Sequence, residues 1–468
     1  MRIAVVGGGM AGLAAAHRLV ERDPQVHVTV LEASERAGGL VRTERTADGF
    51  VIERGPDAVL TEKPAAMRLA ERLGLGDRVV GTRASPRGAY VVARGRLERV
   101  PEGFALLAPT AIGPFLRSPV LSWQGKLRAL TEPLRPRRLH EDESLASFVS
   151  RRLGPELLDR LAQPLVSGIY GADPGRLGLG ATMPRFLEAE RTHGSVIRGL
   201  ARRAREMRRA TPAGGGSQHA SGARYGLFAS FDTGLGLLPE TLAERLGPRV
   251  RTGAQVVGLE REGDGWRVRV RGHRSLVADA VVLAVPAWRA AELVEPWDAP
   301  LASLLGAIRY GSSATVTLAW PRPQIPHPLD AFGFVVPAVE RRPVLACTWA
   351  SVKWPGRAPE GHELLRVFLG GPGRDGVADC SDDELVRRAR HELRDLMGIA
   401  AGPELVRVDR YPRAMPGYEV GHGRLVDRIE GRLVLHPGLR LAGNAYRGVG
   451  VPDAVRSGEA AAEALLTD

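Results

Sequence analysis

The chain has 468 residues, 44% hydrophobic and 25% charged, and its 65 Lys and Arg against 53 Asp and Glu give a net charge of +12. This composition excludes a disordered or fibrous chain, and no stretch approaches the roughly 18 uncharged apolar residues that a membrane-crossing helix needs. Single cores stop growing near about 250–300 residues, so two or three domains are expected.

The opening "MRIAVVGGG" is broken by glycines and lacks a good cleavage site, so it reads as a folded strand and turn, not a secretory leader, and a cytoplasmic protein is expected. Cys347 and Cys380 lie too far apart for a metal knuckle or a redox CxxC and read as ordinary packing or surface residues in a reducing compartment. The basic excess is almost all arginine, because Lys63, Lys126 and Lys353 are the only lysines. It suits anionic partners, whether nucleic acid, a membrane face or an acidic substrate. Aromatic interleaving and a known nucleic-acid module are both missing, so nucleic acid is disfavoured.

In chain order, a strand is expected over Arg2–Val6, a helix over Gly12–Glu21 and a second strand over Val26–Glu32. From about 100 to 210 the spacing turns helical, in "LASFVSRRLGPELLDRLAQPLVSGIY" and "SVIRGLARRAREMRRA" among others. Thr211–Gly226 reads as a flexible connection. Alternating strands with a "GDG" turn follow, then an apolar strand leading to a helix. Residues about 305 to 430 mix strands with one helix in "SDDELVRRARHELRDLM", opened by a serine cap. The end reads strand, glycine-rich turn, helix.

Gly7, Gly9 and Gly12 form GxGxxG between strand and helix: a tight turn, a close approach to pyrophosphate and a close helix–strand packing. The intervening Gly8, Met10 and Ala11 belong to the same helix N-terminus, which faces the phosphates. Glu32 ends the second strand, where its carboxylate can accept both ribose hydroxyls and disfavours a 2′-phosphate. Beyond it, Ala33, Arg36, the doublet Gly38–Gly39, Leu40 and Arg42–Thr43 add a second set of donors that NAD does not need, and the stiff turn at Gly55–Pro56 can bring backbone to a ring system. FAD is therefore favoured over NAD.

This start resembles the large flavin amine-oxidase superfamily. The resemblance implies that Asp57 and Ala58 follow the flavin turn, that Val256 in "GAQVVGL" runs beside the adenine, and that Gly443, Val449, Gly450 and Val451 in "LAGNAYRGVGVPDAV" close the site at a helix N-terminus beside the flavin. Tyr411 joins the cofactor set on the same ground. Within the superfamily, "PLVSGIYGADPGRLGL", "THGSVIRGL", "ACTWASVKWPGRAPEG" and "GNAYRGVGVPD" resemble the oxygen-dependent protoporphyrinogen and coproporphyrinogen oxidases of heme synthesis, over nearly the whole length. That family implies an α/β, doubly wound, Rossmann-like FAD domain assembled from segments 1–85, 227–300 and 431–468, an α+β substrate domain at 301–430, and a mostly helical, membrane-contacting domain at 86–210. FAD takes six electrons from a porphyrinogen and dioxygen reoxidises it, yielding peroxide.

No Ser-His-Asp, paired-carboxylate or metal arrangement is needed, because the flavin carries the chemistry and the protein positions a large ring. By resemblance, Gly168 lets the substrate approach the flavin, and Phe332, Val335, Thr348 and Phe368 line the tetrapyrrole pocket. Members acting on protoporphyrinogen usually carry an arginine where this chain has Ala89. Arg87 is the expected substitute, on the same strand face but displaced by roughly 6–7 Å. Protoporphyrinogen and coproporphyrinogen both remain open as substrates; a flavin amine oxidase, a carotenoid desaturase or a non-catalytic FAD- or heme-binding regulator are the alternatives. A basic helix face at Arg198, Arg202, Arg205 and Arg209 could meet anionic lipid. Ferrochelatase and a second copy of the chain are the expected protein partners.

Overall fold

The computed structural model describes residues 1–138, 142–210, 227–371 and 375–467. The expected connection at 211–226 lies outside them, as do the side chains of Arg205 and Arg209. The described chain divides into two compact units: residues 1–82, 227–309 and 423–467, and residues 83–210 with 310–422.

The first unit centres on five parallel strands in the order Val250–Arg251, His27–Leu31, Arg2–Val6, Ala280–Leu283 and Leu439–Leu441. Parallel strands covered on both faces are apolar throughout, and Ile3 to Val6 and Ala280 to Leu283 are buried without alternation. The helix Met10–Arg22 follows the first strand directly. Its alanines at 11 and 14–16 are buried, leaving space for the closing helix Val451–Thr467 to pack in the same core. The "GDG" turn joins the antiparallel strands Val256–Glu262 and Gly265–Val270.

The second unit is built on a seven-stranded sheet in the order Leu405–Pro416, Tyr310–Pro321, His362–Gly370, Val344–Trp349, Gly333–Val335, Tyr90–Ala93 and Arg96–Arg99. One face carries the apolar residues Val316, Leu318, Phe334, Cys347, Trp349, Leu365 and Val367, packed with Leu385, Ala389 and Leu393 of the helix Asp382–Met397. Ser381 caps that helix as expected, accepting from the Glu384 amide. The segment 86–210 differs from a helical reading at its start. Tyr90–Ala93 and Arg96–Arg99 are strands of the large sheet, and helices begin only at Ile112. β-Branched Val91 and Val92 sit there, and pairing with Gly333–Val335, far along the chain, decides their state.

The helices between 112 and 210 enclose a buried charge cluster. Glu132, fully buried, accepts from Arg152 Nε at 2.7 Å and from the Val196 and Ile197 amides at 3.0 and 3.3 Å. It thereby satisfies free amides at the start of the helix Val196–Ala210.

Candidate flavin and substrate sites

In the first unit the glycine turn and Glu32 form one constellation. The Gly8 amide donates to Glu32 Oε2 at 2.6 Å, and the Ser34 amide donates to Oε1 at 2.9 Å. A Cβ on Gly12 would lie 1.9 Å from the Gly7 carbonyl oxygen, so packing alone demands glycine there. Gly9 differs: a Cβ there meets no protein atom nearer than Gly39 Cα at 4.0 Å, so the chain leaves that side open to a ligand. The Gly38 amide donates to Gly8 O at 2.7 Å, which brings the second glycine doublet against the first turn. Arg36 donates to the Ala37 and Gly39 carbonyls at 3.0 and 2.7 Å and so braces that doublet. Burial, with Arg42 nearby, lowers its guanidinium pKa. Two cations and a helix N-terminus suit a pyrophosphate.

The segment before Val256 runs beside Glu32, with the Ala254 amide on Glu32 O at 2.8 Å. The Val256 carbonyl itself accepts from Arg289 at 2.8 Å. Gly55 is buried, and Pro56, Asp57 and Ala58 are half-buried after it, leading into the short strand Val59–Leu60. Ala33 and Leu40 are exposed beside the turns. At the other end of the chain the Gly443 amide donates to Ser457 Oγ at 3.0 Å, and half-buried Val449 and Gly450 lead into the closing helix at Val451. Asp453, 4% exposed, accepts from the Gly450 amide at 3.2 Å and lies 2.6 Å from Lys63 Nζ. An acid in the first turn suits the positive end of the helix dipole.

In the second unit the large sheet turns its other face away from the apolar core. Pairing places Val335 opposite Ala346, Ala346 opposite Phe368 and Phe368 opposite Thr315; the adjacent row holds Gly333, Thr348, Arg366 and Thr317. Val335, Thr348 and Phe368, expected to line one pocket, thus share one face, each half-buried. Phe332, also half-buried, precedes the strand, with its amide on Gly88 O at 3.0 Å. Gly168 is exposed within the helix Gln163–Tyr170, where a Cβ would meet nothing within 4 Å. Glycine inside a helix costs about 1 kcal/mol relative to alanine, and no protein contact here requires it. The helix is preceded by a π-helical turn at Leu158–Ala162, a feature frequent at functional sites.

The model of the family described as flavin containing amine oxidoreductase matches residues 10–466. The chain belongs to the flavin-containing amine oxidoreductases. A relative named coproporphyrinogen III oxidase in Bacillus subtilis (strain 168) is 33% identical over 472 residues, covering 99% of this chain and 98% of its own length. Human protoporphyrinogen oxidase is 32% identical over 482 residues, covering 99% and 98%. A solved structure from Exiguobacterium sp. 255-15 superposes with a TM-score of 0.87 at 34% identity, covering 100% and 99%. UDP-galactopyranose mutase, at a TM-score of 0.73 and 17% identity, shares the fold.

For this flavin-containing oxidoreductase the cofactor is FAD, and the open glycine turn, Glu32 and the paired arginines fit it. One residue stands otherwise than the sequence reading had it. Arg87 is not part of a strand: Gly88 has φ +90° and the strand starts at Tyr90, so alternation does not carry Arg87 onto the sheet face. Its side chain is exposed and donates to the Ala84 carbonyl at 2.8 Å. Tyr411 belongs to the second unit, where Arg366 donates to its hydroxyl at 3.1 Å. Sequence reading missed Arg366; an arginine inside the apolar run "LLRVFLGG" was its one visible sign. Cys347 is 2% exposed, and burial pushes its thiol pKa up, which leaves it protonated packing.

Proposed function

We propose that the chain is an FAD-dependent porphyrinogen oxidase of heme synthesis, removing six electrons from coproporphyrinogen III to give coproporphyrin III. The observation that carries this reading is the chain-long match, at 33% and 35% identity, to the Bacillus and Propionibacterium freudenreichii proteins named coproporphyrinogen III oxidase. Ala89, where an arginine is expected in protoporphyrinogen-specific members, favours coproporphyrinogen over protoporphyrinogen.

Bound FAD supplies the hydride acceptor and passes electrons to dioxygen. The chain's own part is binding, orientation and exclusion of water. Glu32 would hold the adenosine ribose; the helix N-terminus after the first glycine turn, with Arg36 and Arg42, would hold the pyrophosphate; Val449 to Val451 would adjoin the flavin at the start of the closing helix. Phe332, Val335, Thr348 and Phe368 provide an apolar bed for a flexible tetrapyrrole, and orientation of this kind lowers the barrier without an acid–base side chain. Gly168 leaves backbone bare for close approach.

The finer parts of the reading concern partners. Ile112, Trp123, Leu127 and Leu134 are 55%, 71%, 66% and 81% exposed in the helical part of the second unit, and Lys126 Nζ lies 4.8 Å from the Trp123 ring centroid. Exposed Trp and Leu suit peripheral contact with the cytoplasmic face of a membrane. No helix among the described residues is long and apolar enough to cross one. Ferrochelatase is the partner suited to receive the product, and a homodimer is the assembly the family resemblance suggests.

The reading is tested by adding coproporphyrinogen III to the FAD-loaded protein without oxygen, then admitting oxygen. Bleaching of flavin absorbance, followed by peroxide and porphyrin in a ratio of about three to one, supports it; an unchanged flavin spectrum overturns it.

A further inference from the structure

Tyr90 pairs with Phe334, whose side chain is in the apolar core, so Ala89 falls beside Gly333 on the opposite face. From there one cross-strand row runs Gly333, Thr348, Arg366, Thr317 and Arg407. The row that lacks an arginine at Ala89 therefore carries Arg366 three strands away. Three strand spacings make about 14 Å, on the scale of a tetrapyrrole with its acidic side chains.

Arg366 is only 5% exposed, yet it adjoins half-buried Phe368, with its guanidinium 5.0 Å from that ring. Its Nη2 donates to Tyr411 Oη at 3.1 Å and Thr315 Oγ1 at 3.4 Å. Asp409 stands opposite Thr315 and Arg407 opposite Thr317 on the same face. A planar guanidinium fixed by two hydroxyls is oriented for a carboxylate. Coproporphyrinogen III carries four propionates; protoporphyrinogen IX replaces two of them with vinyl groups.

Resting on the porphyrinogen-oxidase reading above, we propose that Arg366, oriented by Tyr411 and Thr315, binds a propionate that coproporphyrinogen III has and protoporphyrinogen IX lacks, and thereby sets substrate preference. The test compares kcat/KM on both porphyrinogens for wild type, Arg366→Gln and Arg366→Lys. In Arg366→Gln the coproporphyrinogen-to-protoporphyrinogen ratio is expected to fall on the order of tenfold or more, through KM on coproporphyrinogen, as loss of a charge-assisted contact implies. Arg366→Lys keeps the charge without the fork and should fall in between. Equal losses on both substrates, or a ratio shifted less than about twofold, overturn the inference while leaving the oxidase reading standing.

Wild-type turnover of neither porphyrinogen overturns the oxidase reading itself and this inference with it. Should Arg366→Gln fail to retain FAD, binding to the FAD-loaded wild type decides, read as porphyrin fluorescence quenching. Coproporphyrin III should bind at least about tenfold tighter than protoporphyrin IX, which keeps only the two shared propionates. Equal affinities overturn the inference.

Discussion

Gly9→Ala and Gly12→Ala should separate the demands of the protein from those of its cofactor. At Gly12 the added carbon would sit 1.9 Å from the Gly7 carbonyl, well inside contact distance, so strand and helix must part. Overpacking of this kind costs about 1–3 kcal/mol or more. At Gly9, with φ −74° and no protein atom within 4.0 Å except Gly39 Cα at that limit, alanine fits the apoprotein. Its stability should fall by no more than about 1 kcal/mol, the difference between glycine and alanine as a helix cap. The methyl group would instead occupy the space where a pyrophosphate approaches, weakening FAD by at least about tenfold, or about 1.4 kcal/mol. Thermal unfolding of both apoproteins and titration with FAD by flavin fluorescence measure the two effects. A Gly9→Ala protein that binds FAD within twofold of wild type would refute the placement of the cofactor against this turn.

Three further outcomes are expected. Asp298, with its side chain 1% exposed, caps the helix Ala299–Gly306 and accepts from Arg432 and His436. Burial would raise its carboxyl pKa, but these hydrogen bonds lower it from 3.8 to about 2. A depressed acid stabilises the fold above its unfolded pKa, so about 2 kcal/mol present above pH 4 should fade as pH falls toward 2. Melting curves should show Asp298→Asn flattening that slope; an unchanged slope contradicts it. Glu132→Ala leaves Arg152, 1% exposed, without its main partner, and chemical denaturation should register a loss of about 3 kcal/mol, because Glu190 at 3.4 Å compensates in part. A double change, Trp123→Ser with Leu127→Ser, should weaken binding to anionic liposomes, read by flotation, by about a hundredfold or more, since each apolar side chain contributes on the order of 1.5–3 kcal/mol when buried and about 1.4 kcal/mol is tenfold; unchanged flotation removes that surface from the account.

The cofactor half of the molecule was legible because its signals are local. A strand, three spaced glycines and an acid at the end of the next strand lie within 32 residues, and the structure returns them as one hydrogen-bonded group. The substrate half resisted because its face is assembled by pairing. Arg366 and Phe368 share a face by alternation within one strand, but whether Tyr411 joins them depends on the register of strands at 310–321, 362–370 and 405–416, which periodicity within one strand does not give. The strands at 90–93 and 96–99 form a local hairpin, but its place in the large sheet rests on pairing of residues 90–91 with 334–335, some 240 residues on. Arg87 shows the converse: strand alternation was a sound rule applied to a residue that Gly88 removes from the strand.

The central claim is tested most directly by steady-state turnover of coproporphyrinogen III and protoporphyrinogen IX by the purified FAD-loaded protein, followed by porphyrin fluorescence and peroxide together. The account predicts turnover with a clear preference for coproporphyrinogen III. Preference for protoporphyrinogen IX would contradict the substrate assignment and the role given to Arg366, and turnover of neither would contradict the oxidase reading altogether.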